Sequence, residues 1–146
     1  HKLNDRIKLK LSDFKNIKSK FDIIISNPPY INYNQYEKLQ PEVRKYEPKI
    51  ALIGGEDGLE FYRLFAKKIE KNMNKNSIFI CEIGHCQLEA CKKIFSKSNL
   101  ILKNVTKDLQ KIDRTLTFFN IWVVFFFLKC IGNYIKLNTL IILLNF

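Results

Sequence analysis

Arginine is scarce in this sequence: 21 of its 25 basic residues are lysine and only four are arginine. Nucleic-acid sites favour arginine for bidentate contacts, so the formal charge of +11 argues only weakly for a nucleic-acid partner. Lysine, asparagine, isoleucine and phenylalanine are abundant together, a usage typical of AT-rich coding DNA. Cysteine is sparse as well. Four in 146 residues make no disulfide scaffold, and no signal-peptide pattern stands at the head of the chain, so a reducing, cytoplasmic compartment is expected. Long uncharged runs are missing. The longest, residues 115–128, has 14 residues, whereas a membrane-spanning helix needs about 20. A span over 116–135 has to take in Lys129, so no membrane partner is expected.

What is present suits a packed domain. Apolar residues make up 47% and charged residues 27%, with 12 Phe, 6 Tyr and one Trp, which excludes wholesale disorder. A length of 146 residues sets one domain as the starting expectation. The chain begins with His1 rather than Met, which suggests a fragment or a processed product.

Residues 6–11 alternate polar and apolar and predict a short strand, closed by a Ser12-Asp13 turn. Residues 21–26 are β-branched and nearly all apolar, which predicts a strand buried on both faces, as in a parallel sheet. Residues 30–56 keep no period and read as a long, functional type of loop. Helical spacing of Leu59, Tyr62, Phe65, Ile69 and Met73 predicts a helix over 57–73, with Asp57 as N-cap and Glu60 completing a box-like start. A strand over 77–83, a helix over 87–97 and two strands over 100–106 and 115–121 follow. Strands separated by helices indicate the α/β class, and the last two strands should form an antiparallel hairpin.

One segment carries chemistry. Asn27-Pro28-Pro29-Tyr30 follows the buried strand at its carboxyl end, the edge where ligands sit in open α/β sheets. The two prolines lack N–H groups and have fixed φ, and Pro28 holds Asn27 extended. The loop therefore presents acceptors, the Asn27 side-chain oxygen and the Pro28 carbonyl, to a planar –NH₂ group with two donors. Tyr30 adds an aromatic face. These four residues are the candidate catalytic and substrate-binding set. The plainer reading is a strand-ending turn, for which Asn-Pro is a common signal.

Asn27-Pro-Pro-Tyr30 after Phe21-Asp22 resembles motif IV of S-adenosylmethionine-dependent methyltransferases that act on amino groups. The blocks that follow narrow the resemblance. They are Val43-Arg-Lys-Tyr-Glu-Pro48, Ala51-Leu52, Gly54-Gly55, Asp57-Gly-Leu59, Phe61-Tyr-Arg63, Glu82-Ile-Gly84 with Gln87, Lys107-Asp-Leu109 and Asp113-Arg114. Over about residues 1–119 this series resembles the release factor glutamine methyltransferase family. The resemblance implies N5-methylation of the glutamine in the Gly-Gly-Gln motif of peptide chain release factors, with S-adenosyl-L-methionine as cofactor. It implies that Asn27 and Pro28 accept from the glutamine amide and that Tyr30 packs against it. It implies cofactor contacts from Asn27, from Asp13 to the adenine amine and from Phe14 in the adenine pocket.

The family's glycine-rich cofactor turn and its acidic strand end have no counterpart here, and Gly54-Gly55-Glu56-Asp57-Gly58 follows no buried strand. The expectation is therefore a partial class I methyltransferase (Rossmann-like) sheet, without its first two strands, over residues 1–121. A hydrophobic extension over 122–146, a shifted reading frame or an anchor, would follow it. Such a chain alone should bind S-adenosylmethionine weakly or not at all. Two rival functions stay open: a nucleic-acid base methyltransferase in which Tyr30 stacks a flipped adenine, and a non-catalytic remnant of a split gene. No direct nucleic-acid contact is expected on the leading reading. Cys81, Cys86 and Cys91, with His85, stand too far apart for a usual zinc pattern, so core thiols and no metal are expected. Asp108, Asp113 and Arg114 are expected to form structural ion pairs, and Glu47 and Glu82 to flank the cleft, brace a loop or meet solvent.

Overall fold

The structure is a computed structural model that describes residues 7–120 and the backbone of residues 140–144. Strand β1 (Phe21–Asn27) is followed by three short helices, α1 (Tyr33–Tyr36), α2 (Pro41–Tyr46) and α3 (Lys49–Leu52). Helix α4 (Glu60–Lys68) and a 3₁₀ turn (Ile69–Asn72) lead into β2 (Met73–Glu82). Helix α5 (Leu88–Phe95), β3 (Leu100–Lys107), β4 (Asp113–Asn120) and β5 (Leu140–Leu144) complete the set. The five strands form one sheet in the order β3-β4-β2-β1-β5. β1 runs parallel to β2 and to β5, and β4 runs antiparallel to β2 and β3. The expected α/β class and its closing antiparallel hairpin are both present.

The register explains the core. Ile24 pairs with Phe79 and Ser26 with Cys81, while Phe79 pairs with Phe118 and Cys81 with Leu116. These residues share one face, and all are buried. Tyr62 and Phe65 of α4 and Cys91 and Phe95 of α5 belong to the same buried cluster. Ring centroids lie 5.4 Å apart for Phe65–Phe79, 5.9 Å for Phe79–Phe118 and 4.3 Å for Phe95–Phe118. Such pairs add about 0.5–1.5 kcal/mol each beyond the area they bury. Ile23 and Ile25, on the opposite face of β1, are only half-buried. Burial on both faces, expected from the apolar run, is thus complete on one face alone.

Several expected boundaries move. Residues 7–13 form no strand, and Leu9 and Leu11 are 94% and 91% exposed. An alternating segment becomes a strand only where a neighbour takes its backbone hydrogen bonds and a core takes its apolar face. The long loop is an excursion of three short helices, opened and closed by an Ile31–Ile53 bridge. Asn32 and Gln35 form a capping box on α1, and Pro41 starts α2. α4 begins at Glu60 with Leu59 at the N-cap, because the Asp57 carboxylate is engaged by the Leu59 N–H and by Arg63. Met73 opens β2 instead of closing the helix. β2 carries a register shift opposite Phe21–Ile23, where Asn74 donates to Asp22 at 2.8 Å.

The expected extension over 122–146 falls mostly outside the described residues. Its part at 140–144 is strand β5, beside β1. Residues 116–120, where a stretched membrane span would begin, belong to β4. No helix among the described residues is long and apolar enough to cross a membrane.

Candidate active site

The Asn27-Pro28-Pro29-Tyr30 loop leaves the carboxyl end of β1 beside the carboxyl end of β2. Its parts have opposite surroundings. Pro28 and Pro29 are fully buried, Tyr30 is half-buried and Asn27 is exposed. Among the described residues, no hydrogen bond holds the Asn27 side chain. The prolines thus serve as a stiff anchor, and the amide in front of them stays open to approach. The preceding residue, Ser26, is 2% exposed, and its hydroxyl is buried without a partner among the described residues.

Two walls hold the loop. The first is residues 52–58. The Ile31 N–H donates to the Leu52 carbonyl at 3.0 Å, and the Gly54 N–H donates to the Ile31 carbonyl at 2.9 Å. A Cβ on Gly54 would sit 2.4 Å from the Pro29 carbonyl oxygen, and one on Gly58 would sit 2.4 Å from that of Tyr30. Gly58 also has φ of +76°, a left-handed value that glycine adopts without strain. This glycine cluster therefore lies against the acceptor loop. The second wall is the end of β2 and the start of α5. The Tyr30 hydroxyl donates to Glu82 at 2.9 Å, and the Gln87 amide donates to the Tyr30 carbonyl at 2.9 Å. Burial and the neighbouring Glu82 carboxylate push the Tyr30 phenol above its ordinary value. It stays protonated and donating at neutral pH.

The remaining sequence-derived candidates lie on other elements. Asp13 caps the 3₁₀ turn Phe14–Asn16, accepting from the Lys15 N–H at 2.8 Å. Phe14 is 7% exposed and meets the Phe65 ring edge-on at 5.3 Å, so most of its surface is committed to the core. Cys81 and Cys91 are buried and Cys86 is exposed, so the three do not converge. Burial pushes the Cys91 thiol up to about 12 and raises Cys81 too, so both act as inert core thiols. Arg114 pairs with Asp108 at 3.0 Å and Lys107 with Asp113 at 2.8 Å, the structural ion pairs expected. Glu82 proves to be a brace for Tyr30. Gln87 and the two glycines were visible in the sequence only as members of a pattern. Nothing local marks their hold on the loop, because Gln87 reaches Tyr30 across 57 residues and Gly58 across 29.

Comparison with known proteins places the chain among methylases. A family model described as Eco57I restriction-modification methylase matches residues 2–106. The chain belongs to that methylase family. It is also similar to release factor glutamine methyltransferases, as the motif series implied. The one from Clostridium acetobutylicum is 37% identical over 118 residues, covering 78% of this chain and 41% of that protein. The one from Thermodesulfovibrio yellowstonii is 42% identical over 96 residues, 66% of this chain and 34% of that protein. A bifunctional methyltransferase of Rickettsia bellii is 39% identical over 118 residues, 80% of this chain and 21% of that protein. This methylase chain thus spans between about a fifth and two-fifths of the length of those relatives. A solved methyltransferase from Pyrococcus furiosus superposes with a TM-score of 0.47 at 19% identity, covering 70% of this chain and 42% of that one.

Proposed function

We propose that residues 1–121 are the substrate-presenting portion of a protein-glutamine N5-methyltransferase acting on the Gly-Gly-Gln motif of peptide chain release factors. Residues 122–146 form an extension to it, and the reaction takes place in the cytoplasm. The observation that carries this reading is the exposed Asn27 side chain on a loop whose two prolines are buried. Asn27 and Pro28 accept the two N–H bonds of a primary amide, Pro29 keeps the loop stiff, and the Tyr30 face packs on the amide plane. An amide nitrogen is a poor nucleophile because its lone pair is delocalised. Two fixed acceptors polarise its N–H bonds and hold it in line, so catalysis rests on orientation and electrostatics.

S-adenosylmethionine, when bound, supplies an electrophilic methyl group on a sulfonium. Exposed Asn27 and Asp13 fit contacts to such a ligand. Buried Phe14 fits less well, because its ring is packed on Phe65. The description of the matching family favours a second reading, methylation of a nucleic-acid amino group. The acceptor pair suits an exocyclic amine equally.

A chimera separates the readings. Residues 1–120 replace the matched segment of the Clostridium acetobutylicum enzyme, and transfer of labelled methyl from S-adenosylmethionine is followed. Label on the release factor glutamine, lost with Asn27→Ala, is expected. Label on duplex DNA instead would establish the second reading. An inactive chimera beside an active parent would leave this chain a remnant.

A further inference from the structure

We propose that Gln87 is the positioning residue of the acceptor loop: its carboxamide locks the backbone of Tyr30, and with it the aim of Asn27 and Pro28. Pro28 and Pro29 have no N–H, so the loop cannot brace itself by local hydrogen bonds and has to be held from outside. Gln87 does this with all of its side-chain capacity. Its Nε2 donates to the Tyr30 carbonyl at 2.9 Å and to the Gly58 carbonyl at 3.3 Å. Its Oε1 accepts from the Gly84 N–H at 2.9 Å and from the Tyr62 hydroxyl at 3.1 Å. Two donors and two lone pairs are all that a carboxamide has.

The surroundings are cut to admit this group. A Cβ on Gly58 would lie 2.9 Å from Nε2, and one on Gly84 would lie 2.7 Å from Oε1. Tyr62 is fully buried, so the acceptor side is tied to the core. The Gln87 backbone is fixed as well: its N–H donates to the Gly84 carbonyl at 3.2 Å, and its carbonyl accepts from the Cys91 N–H in α5 at 2.9 Å. One side chain therefore joins the core, the end of β2, the glycine wall and the acceptor loop. No other residue type of this size offers two donors and two acceptor lone pairs on one planar head.

The effect on turnover rests on the glutamine methyltransferase reading; the effect on the loop does not. Gln87→Glu keeps the oxygen that accepts from Gly84 and Tyr62 but loses both donors. Gln87→Leu loses all four bonds. Amide hydrogen exchange is measured on the full 146-residue chain. In Gln87→Glu the Ile31 and Gly54 amides should exchange about tenfold faster, with Gly84 still protected. In Gln87→Leu all three should speed up. Unchanged exchange at Ile31 and Gly54, or an equal rise throughout the chain, would overturn the proposal. In the chimera, Gln87→Glu should lower kcat about tenfold or more and change KM less than about twofold. An active chimera whose kcat ignores the substitution would also overturn it. A chimera inactive before any substitution would sink the methyltransferase reading, and the exchange data would still decide the clamp.

Discussion

The Tyr30 hydroxyl donates to a carboxylate oxygen of Glu82 at 2.9 Å, across 52 residues of sequence. The contact ties the loop after β1 to the last residue of β2. The same tyrosine is held at its carbonyl by Gln87. Both ends of the residue are therefore committed to the protein. The ring itself is half-buried and packs against the core beside Gly84, and its remaining exposed part is what a planar amide or a base would meet. A phenol engaged in this way is a poor proton carrier for the reaction, and the proposed chemistry does not ask it to be one.

Burial and the Glu82 carboxylate raise the Tyr30 phenol above 10.0, and burial raises Tyr62 far more. In the unfolded chain both titrate near 10.0. As pH climbs, the unfolded chain loses these protons first while the folded state keeps them. Stability from this source is full below about pH 10 and is lost as pH rises beyond it. Tyr62→Phe should cost about 1 kcal/mol at neutral pH, for the hydroxyl's bonds to Gln87 and the Glu82 carbonyl. It should also flatten the alkaline fall. Thermal midpoints measured between about pH 8 and 11 check this. A variant as alkali-sensitive as the wild type would contradict it.

Gly54 has no unusual φ, so its requirement is one of space alone. An added methyl would meet the Pro29 carbonyl oxygen at 2.4 Å, a backbone atom that cannot swing away. Gly54→Ala should cost about 1–3 kcal/mol in urea unfolding. At Gly55 a methyl would meet the flexible Glu60 side chain, at 2.8 Å, and the penalty there should come mainly from its φ of +91°. The discriminating result is the loop. Gly54→Ala should alter exchange of the Ile31 amide, and Gly55→Ala should leave it alone.

The parts of the fold legible in the sequence are those set by burial. The runs at 21–26 and 77–82 are strands because water is excluded from an inner face that carries Ile24, Phe79 and Cys81. Helices over 33–52 were not legible. Each is four to six residues long and buries no side chain, so no period could accumulate. The alternation at 6–11 misled because pattern alone supplies no neighbour. At the site, the acceptor loop was legible because proline chemistry is local. The clamp around it was not, because Gln87 acts through backbone groups far away in sequence.

Asp57 and Arg63 form a two-pronged pair on the helix entry, with side chains 47% and 52% exposed. Solvent screens a pair this open, and its worth is about 0–1 kcal/mol. Arg63→Ala should therefore lower stability by less than about 1 kcal/mol at low salt, and the difference should shrink in about 1 M salt. Its place in the family-like series Phe61-Tyr62-Arg63 invites a larger role. Urea midpoints at the two salt levels decide, and a large loss insensitive to salt would mean that Arg63 does more than brace the turn.

Asp108 organises the turn between β3 and β4. Its carboxylate accepts from the Ile112 N–H at 3.0 Å, from the Gln110 N–H at 2.9 Å and from Arg114 at 3.0 Å. The Ile112 bond first, and the Arg114 guanidinium with it, hold its carboxyl below the ordinary 3.8. Folding thus favours the charged form. The resulting stability is present above about pH 4 and disappears as pH falls through the lowered value, where the folded carboxylate too takes up its proton. Asp108→Asn retains an acceptor but no charge. It should be less stable than the wild type at about pH 7, and the gap should close as pH falls below about 3. Unfolding midpoints of the two chains at about pH 7, 5 and 3 measure that gap, and a gap that stays constant would place the stabilisation in the turn's shape instead of its charge.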